Sequence, residues 1–319
     1  MYALTKKTSP TFYLGLVSTT DLPNASNDSF ALWKKFLIPY HRLESKQMTL
    51  FTNGTKQQFS RLPTSSYNYI PTADQLYSKI EHYISLLPKD KEFNLVLHLS
   101  SHGFQANNII ALGEVNESDG KDEMFYWGKY KGLTQSLRDD RINELLKLLP
   151  EKAKVLMLVD TCHSGTMADL PYKDGVYKPN NVNYKAQVLC ISGCSDHQTL
   201  TEIYNKELRM SLGSCTQSFI DSYDKKDWLE VMRSKLLQLG QIMVVSSMKP
   251  LNEVFEKREV KDIKKLPSKS KDNIRKNNCK DEKVTCKDEK VTCNKKYWWL
   301  WILIFFILFI LLYIIYRKN

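Results

Sequence analysis

The chain has 319 residues, 42% apolar and 25% charged, with 46 Lys and Arg against 35 Asp and Glu for a net charge of +11. This length buries a sizeable core and excludes both a disulfide-stapled mini-protein and a wholly disordered tail. Residues 255–296 hold 15 basic and 8 acidic side chains, and Arg317 with Lys318 add two more positive charges, leaving +2 for residues 1–254. The positive excess therefore does not mark a nucleic-acid-binding domain.

The N-terminus has no long apolar run ending in a small-residue cleavage site, so no signal peptide is read there. Short apolar runs at 12–17, 48–52, 93–99, 155–159, 188–192 and 242–245 predict strands. The stretches 30–38, 73–87, 141–149, 216–223 and 228–239 predict helices between them. Strands alternating with helices predict an α/β three-layer sandwich on a mostly parallel six-stranded sheet, with ligands bound beyond the carboxyl ends of its strands.

Beyond this domain of residues 1–254, residues 255–296 read as a basic linker with a tandem CKDEKVT duplication at Cys279 and Cys286. Residues 297–316 (YWWLWILIFFILFILLYIIY) carry no charge and would rise roughly 30 Å as a helix, the thickness of a bilayer core. Trp298, Trp299 and Trp301 at one end and Tyr313 and Tyr316 at the other match aromatic belts. A transmembrane helix is predicted there, followed by a short tail, 317–319. The expected topology is a single-pass C-terminal tail anchor in a membrane, with the folded domain facing the cytosol. Seven cysteines without regular pairing agree with a reducing compartment.

Two predicted strand ends carry chemistry. NLVLHLS runs into Ser100, Ser101, His102 and Gly103, and KVLMLVD runs into Asp160, Thr161, Cys162 and His163. Parallel strands would deliver His102 and Cys162 to the same sheet edge. A free thiol has a pKa of about 8.5 and is a poor nucleophile when protonated; a neighbouring imidazole can take its proton. Glycines nearby allow close approach of backbone N–H groups to a reacting carbonyl.

With their flanks, SSHG, DTCHSG and the SGCSDHQT segment at 192–199, these residues resemble the caspase-like cysteine peptidases, and among them the metacaspases. The resemblance extends over residues 11–255. It implies a caspase-like sandwich and a cysteine endopeptidase, a thiol protease, with His102 as general base and Cys162 as nucleophile. The N–H groups of Gly103 and Cys162 would form the oxyanion hole. Asp160, Ser100 and Asp28, the last paired with Asn27 at the start of the first helix, would line the primary specificity pocket. Two carboxylates there favour protein or peptide substrates with Arg or Lys before the scissile bond. The same resemblance leaves Asp28 readable as a helix cap, and Asp139 and Asp140 as a helix N-terminus.

No cofactor is required for this chemistry. The resemblance places Ca2+, as an activator, on Asp139, Asp140 and Asp169, since hard oxygen donors suit that ion. FYWGKY departs from the family here, setting Lys129 where an aspartate usually stands, and a cation there would repel calcium. Ser101 replaces a glycine, and Leu200 and Glu202 replace a serine and an aspartate. His98 reads as a core residue and Cys194 as a packing one. The basic linker offers sites for self-cleavage. Alternative readings are a catalytically silent membrane-anchored scaffold and a legumain-like peptidase.

Overall fold

The computed structural model describes residues 9–107, 120–177 and 184–254. The predicted linker, transmembrane helix and tail lie outside the described residues. Among the described residues no helix is long and apolar enough to cross a membrane.

In chain order the strands are β1 (Thr11–Val17), β2 (Met48–Thr52), β3 (Tyr67–Tyr69), β4 (Phe93–Ser100), β5 (Gly103–Asn107), β6 (Lys121–Tyr130), β7 (Leu133–Arg138), β8 (Ala153–Asp160), β9 (Tyr172–Lys173), β10 (Val176–Tyr177), β11 (Gln187–Ser192), β12 (Glu202–Asn205), β13 (Met210–Gly213) and β14 (Val244–Ser247). The main helices are α1 (Ala25–Leu32), α2 (Ile38–His41), α3 (Ala73–Ser85), α4 (Asp139–Lys147), α5 (Ser214–Ser222) and α6 (Trp228–Gln238).

The main sheet has nine strands in the order β10-β9-β14-β11-β8-β4-β1-β2-β3, not the six expected. All six predicted strands belong to it. The three additions are two or three residues long, too short to show an apolar period. One of them had a local signal: Asp174 and Gly175, at φ 48° and 81°, form the left-handed Asp-Gly turn that joins β9 to β10. The run β3-β2-β1-β4-β8-β11 is parallel, while β14, β9 and β10 are antiparallel at one edge.

Helices cover both faces, as a three-layer sandwich requires. Leu95, Leu97 and Leu99 of β4 and Val155, Met157 and Val159 of β8 pack on one face with Leu76, Ile80 and Ile84 of α3 and Ile142, Leu145 and Leu146 of α4. Val96 of β4 and Leu156 and Leu158 of β8 pack on the other with Leu32 of α1, Phe219 of α5 and Met232 and Leu236 of α6. The central strands β4 and β8 are covered on both faces, so they read as nearly continuous apolar runs. The two-residue period then puts His98, Ser100 and Asp160 on the α1/α5 face.

Candidate active site

Strands β4 and β8 are adjacent and in register, with Ser100 opposite Asp160. The two loops leaving them run side by side. The Ser101 N–H donates to the Asp160 carbonyl at 3.4 Å. A Cβ built on Gly103 would stand 2.0 Å from the Cys162 carbonyl oxygen, so a bare glycine is what lets the histidine loop lie against the cysteine loop. His102 and Cys162 are both half-buried.

His102 Nε2 lies 3.3 Å from the carbonyl oxygen of Asp21, whose backbone is left-handed at φ 58°. A carbonyl only accepts, so Nε2 is the donor in this contact. Cys162 Sγ accepts from the Leu200 N–H at 3.2 Å. The turn after Cys162 passes through His163 in the left-handed region, φ 50°. Its ring Nδ1 sits 2.6 Å from the Asp196 carbonyl, and Asp196 Oδ1 accepts from Thr166 N–H at 2.9 Å. Cys194 is fully buried, which pushes its thiol up to about 11 and suits a packing role.

Asp28, Ser100 and Asp160 come together as the sequence suggested. Asp28 is 2% exposed and caps nothing. Its Oδ2 accepts from Ser100 Oγ at 2.7 Å and its Oδ1 from Gly213 N–H at 2.8 Å. Asp160 is 4% exposed, and its Oδ2 accepts from Thr216 N–H at 2.7 Å. Its Oδ1 is buried without a hydrogen-bond partner among the described residues. Gly213 separates the two acids, and a Cβ on it would stand 2.3 Å from Asp160 Oδ1. Burial raises the Asp28 carboxyl well above its ordinary range, and the negative charge of Asp160 adds to the rise. Burial pushes Asp160 up to about 6, against the opposing pull of its hydrogen bonds to Thr216. Glu202, held by Asn24 Nδ2 at 2.9 Å, adds negative potential at both acids.

Asp139 and Asp140 come together with Asp122, their carboxylate oxygens within 4.8 Å of one another. Asp169 is not part of this group; it sits in the turn after Thr166, and its charge acts on Tyr184. Burial pushes Asp139 up to about 9. The group already faces a cation: Arg138 Nη1 lies 3.3 Å from Asp122 Oδ2 and 3.7 Å from Asp140 Oδ2. A resident guanidinium and the separation of Asp169 make the expected trio a poor fit for calcium. A cavity of about 550 Å3 lined by Tyr69, Asp74, Lys79 and His82 among others shares no residue with the His102 and Cys162 loops and holds no thiol.

The description "Metacaspase, peptidase C14 domain" matches residues 12–171, half of the chain, and spans both loops. The chain belongs to the metacaspase family. Metacaspase-1 of Cryptococcus neoformans var. neoformans serotype D (strain JEC21 / ATCC MYA-565) is 29% identical over 188 residues, covering 57% of this chain and 37% of that protein. Metacaspase-1 of Arabidopsis thaliana is 31% identical over 148 residues, 41% of this chain and 39% of that protein. Metacaspase-1 of Saccharomyces cerevisiae (strain ATCC 204508 / S288c) is 33% identical over 173 residues, 53% of this chain and 36% of that protein. The aligned part thus spans well under half the length of these metacaspases. The family match stops at 171, short of the SGCSDHQT segment. In this metacaspase-family chain, Gly213, Thr216, Arg138, the Leu200 N–H and the Asp21 carbonyl had no signal in the sequence pattern, because each acts through a backbone group or through a partner the pattern does not name.

Proposed function

We propose that the chain is a cysteine endopeptidase that cleaves after Arg or Lys. The observation that carries this reading is the pair of buried acids beside the Cys162 loop, one of them with an oxygen left unpartnered among the described residues. A buried carboxylate is costly unless paired, and a substrate guanidinium or ammonium group supplies the missing partner. Ser100 and Gly213 hold Asp28, and Thr216 holds Asp160, so the acids are oriented before substrate arrives.

In the proposed reaction Cys162 Sγ gives its proton to His102 Nδ1 and attacks the carbonyl carbon of the basic residue. The N–H groups of Gly103 and Cys162 receive the developing oxyanion. Collapse breaks the peptide C–N bond, His102 protonates the departing amine, and a thioester remains on Cys162. Water, deprotonated by His102, then attacks the thioester and releases the acid and the thiol. The test is turnover by the full-length protein of matched peptides carrying Arg, Lys, Asn, Asp or an uncharged isostere at the cleaved position. Cleavage after Arg and Lys, lost in Cys162→Ala, supports the reading. Asn preference would favour the legumain-like alternative, and no turnover would favour the silent scaffold.

No step is routed through calcium, because Arg138 occupies the acidic group that would bind it. Residues 297–316 support membrane attachment through an uncharged apolar helix, and the basic residues of 255–296 offer sites for self-cleavage. A size shift of wild type, absent in Cys162→Ala, tests the self-cleavage; carbonate-resistant sedimentation with vesicles tests the attachment.

A further inference from the structure

His98 is fully buried in the middle of the sheet, two residues before Ser100 on the same face of β4. Both its ring nitrogens are engaged. Nδ1 lies 3.0 Å from the Tyr13 hydroxyl and Nε2 lies 3.4 Å from Thr216 Oγ1. The Tyr13 hydroxyl is also hydrogen-bonded to Ser29 Oγ at 2.9 Å, and Ser29 is the neighbour of Asp28 on α1. Thr216, on α5, binds Asp160 through its backbone N–H. Tyr13, Ser29, His98 and Thr216 are all 0% exposed.

This chain of contacts joins the two walls of the acidic pair from below. One end holds the α1 segment that presents Asp28, and the other holds the α5 residue that orients Asp160. The fold makes room for it: a Cβ on Gly15, the register partner of His98 on β1, would stand 2.7 Å from the Tyr13 hydroxyl oxygen. An imidazole is rigid and has polar atoms on two sides, so it sets the distance between two hydroxyls in a way that an apolar side chain of similar volume does not. Burial alone drives the ring's pKa down to about 3, so it carries no charge at neutral pH.

We propose that His98 is a positioning residue for the basic-residue pocket: by tying Tyr13 and Ser29 on one wall to Thr216 on the other, it fixes the separation of the Asp28 and Asp160 carboxylates. The inference rests on the reading of those acids as the site for a substrate Arg or Lys. His98 does not touch substrate, and its effect is on binding of the charged side chain rather than on the chemistry at Cys162.

The experiment compares full-length wild type, His98→Leu, His98→Gln and Tyr13→Phe on an Arg peptide and its uncharged isostere, with the rate of Cys162 alkylation by iodoacetamide as an internal control. His98→Leu is expected to raise KM for the Arg peptide about tenfold, the scale of one or two lost buried hydrogen bonds, with kcat and alkylation unchanged within about twofold. His98→Gln, which keeps a polar atom towards Thr216, is expected to recover part of the loss, and Tyr13→Phe to raise KM by cutting the link at its other end. If both His98→Leu and Tyr13→Phe leave KM for the Arg peptide at the wild-type value, His98 does not position the pocket. Loss of kcat and of alkylation in parallel with KM in the folded variants would also overturn the proposal, showing a general structural role. Wild type that does not prefer the Arg peptide over its isostere would remove the pocket reading itself, and this proposal with it. Tyr13→Phe keeps the ring volume and so keeps the test decisive if His98→Leu fails to fold.

Discussion

Gly103 and Cys162 meet backbone to backbone, so closely that a methyl group on the glycine would stand 2.0 Å from the cysteine's carbonyl oxygen. The histidine loop can lie on the cysteine loop only because that position has no side chain. Gly103→Ala is therefore expected to push the loops apart and lower kcat by about 100-fold or more, the scale of a lost oxyanion donor. Circular dichroism should show the fold retained, since the clash is confined to the sheet edge. Activity within threefold of wild type would mean that the loops do not need this contact.

Burial holds the Asp160 carboxyl near about 6 and raises that of Asp28 well above its ordinary range. A protonated acid offers no charge to a guanidinium. KM for an Arg peptide should fall as pH rises through about 6, while KM for the uncharged isostere stays flat. A KM profile for the Arg peptide that is level across this range would count against the two acids as its binding site.

The same shift has a consequence for stability. A carboxyl whose folded pKa lies above its unfolded value contributes stability that is full below the unfolded value, near 3.8, and is lost as pH rises through about 6. Asp160→Asn cannot ionise, so at neutral pH it should be more stable than wild type by about 1–3 kcal/mol while losing its preference for basic peptides. Urea unfolding at acid and neutral pH measures the difference, which should shrink in acid.

Glu202 places negative potential on both buried acids. Removing that charge eases their ionisation, so Glu202→Gln should move the acid limb of the KM profile to lower pH. An unmoved limb would show that Glu202 is too well solvated to act on them.

Arg138 sits against Asp122 and Asp140. Turnover by wild type should be indifferent to a calcium chelator. Arg138→Gln removes the guanidinium and leaves the acids facing one another, so its melting temperature should rise on adding calcium. Wild-type activity that vanishes with chelator and returns with calcium would refute the assignment of Arg138 as the resident cation.

The six strands expected from the sequence were legible because each is a short apolar run, while the separate small sheets β5-β6-β7 and β12-β13 were not read. The two- and three-residue edge strands were not, since pairing at a sheet edge asks little of side chains. His102 and Cys162 stood out as candidates because their chemistry is intrinsic and each follows the end of a strand, β4 and β8. Asp169 was grouped with Asp139 and Asp140 on resemblance alone, and its place in the turn after Thr166 keeps it out of the group they form with Asp122.

The sequence by itself determined the layered α/β plan and singled out His102 and Cys162 as the candidate base and nucleophile, with Asp28 and Asp160 as candidate pocket acids. Only the tertiary structure decided how those acids are held. Gly213 donates to Asp28 across 185 positions of chain, Thr216 reaches Asp160 across 56, and His98 bridges to Thr216 across 118. Local periodicity reports which face of an element is buried. It carries no record of which distant backbone N–H or hydroxyl will meet that face once the helices pack.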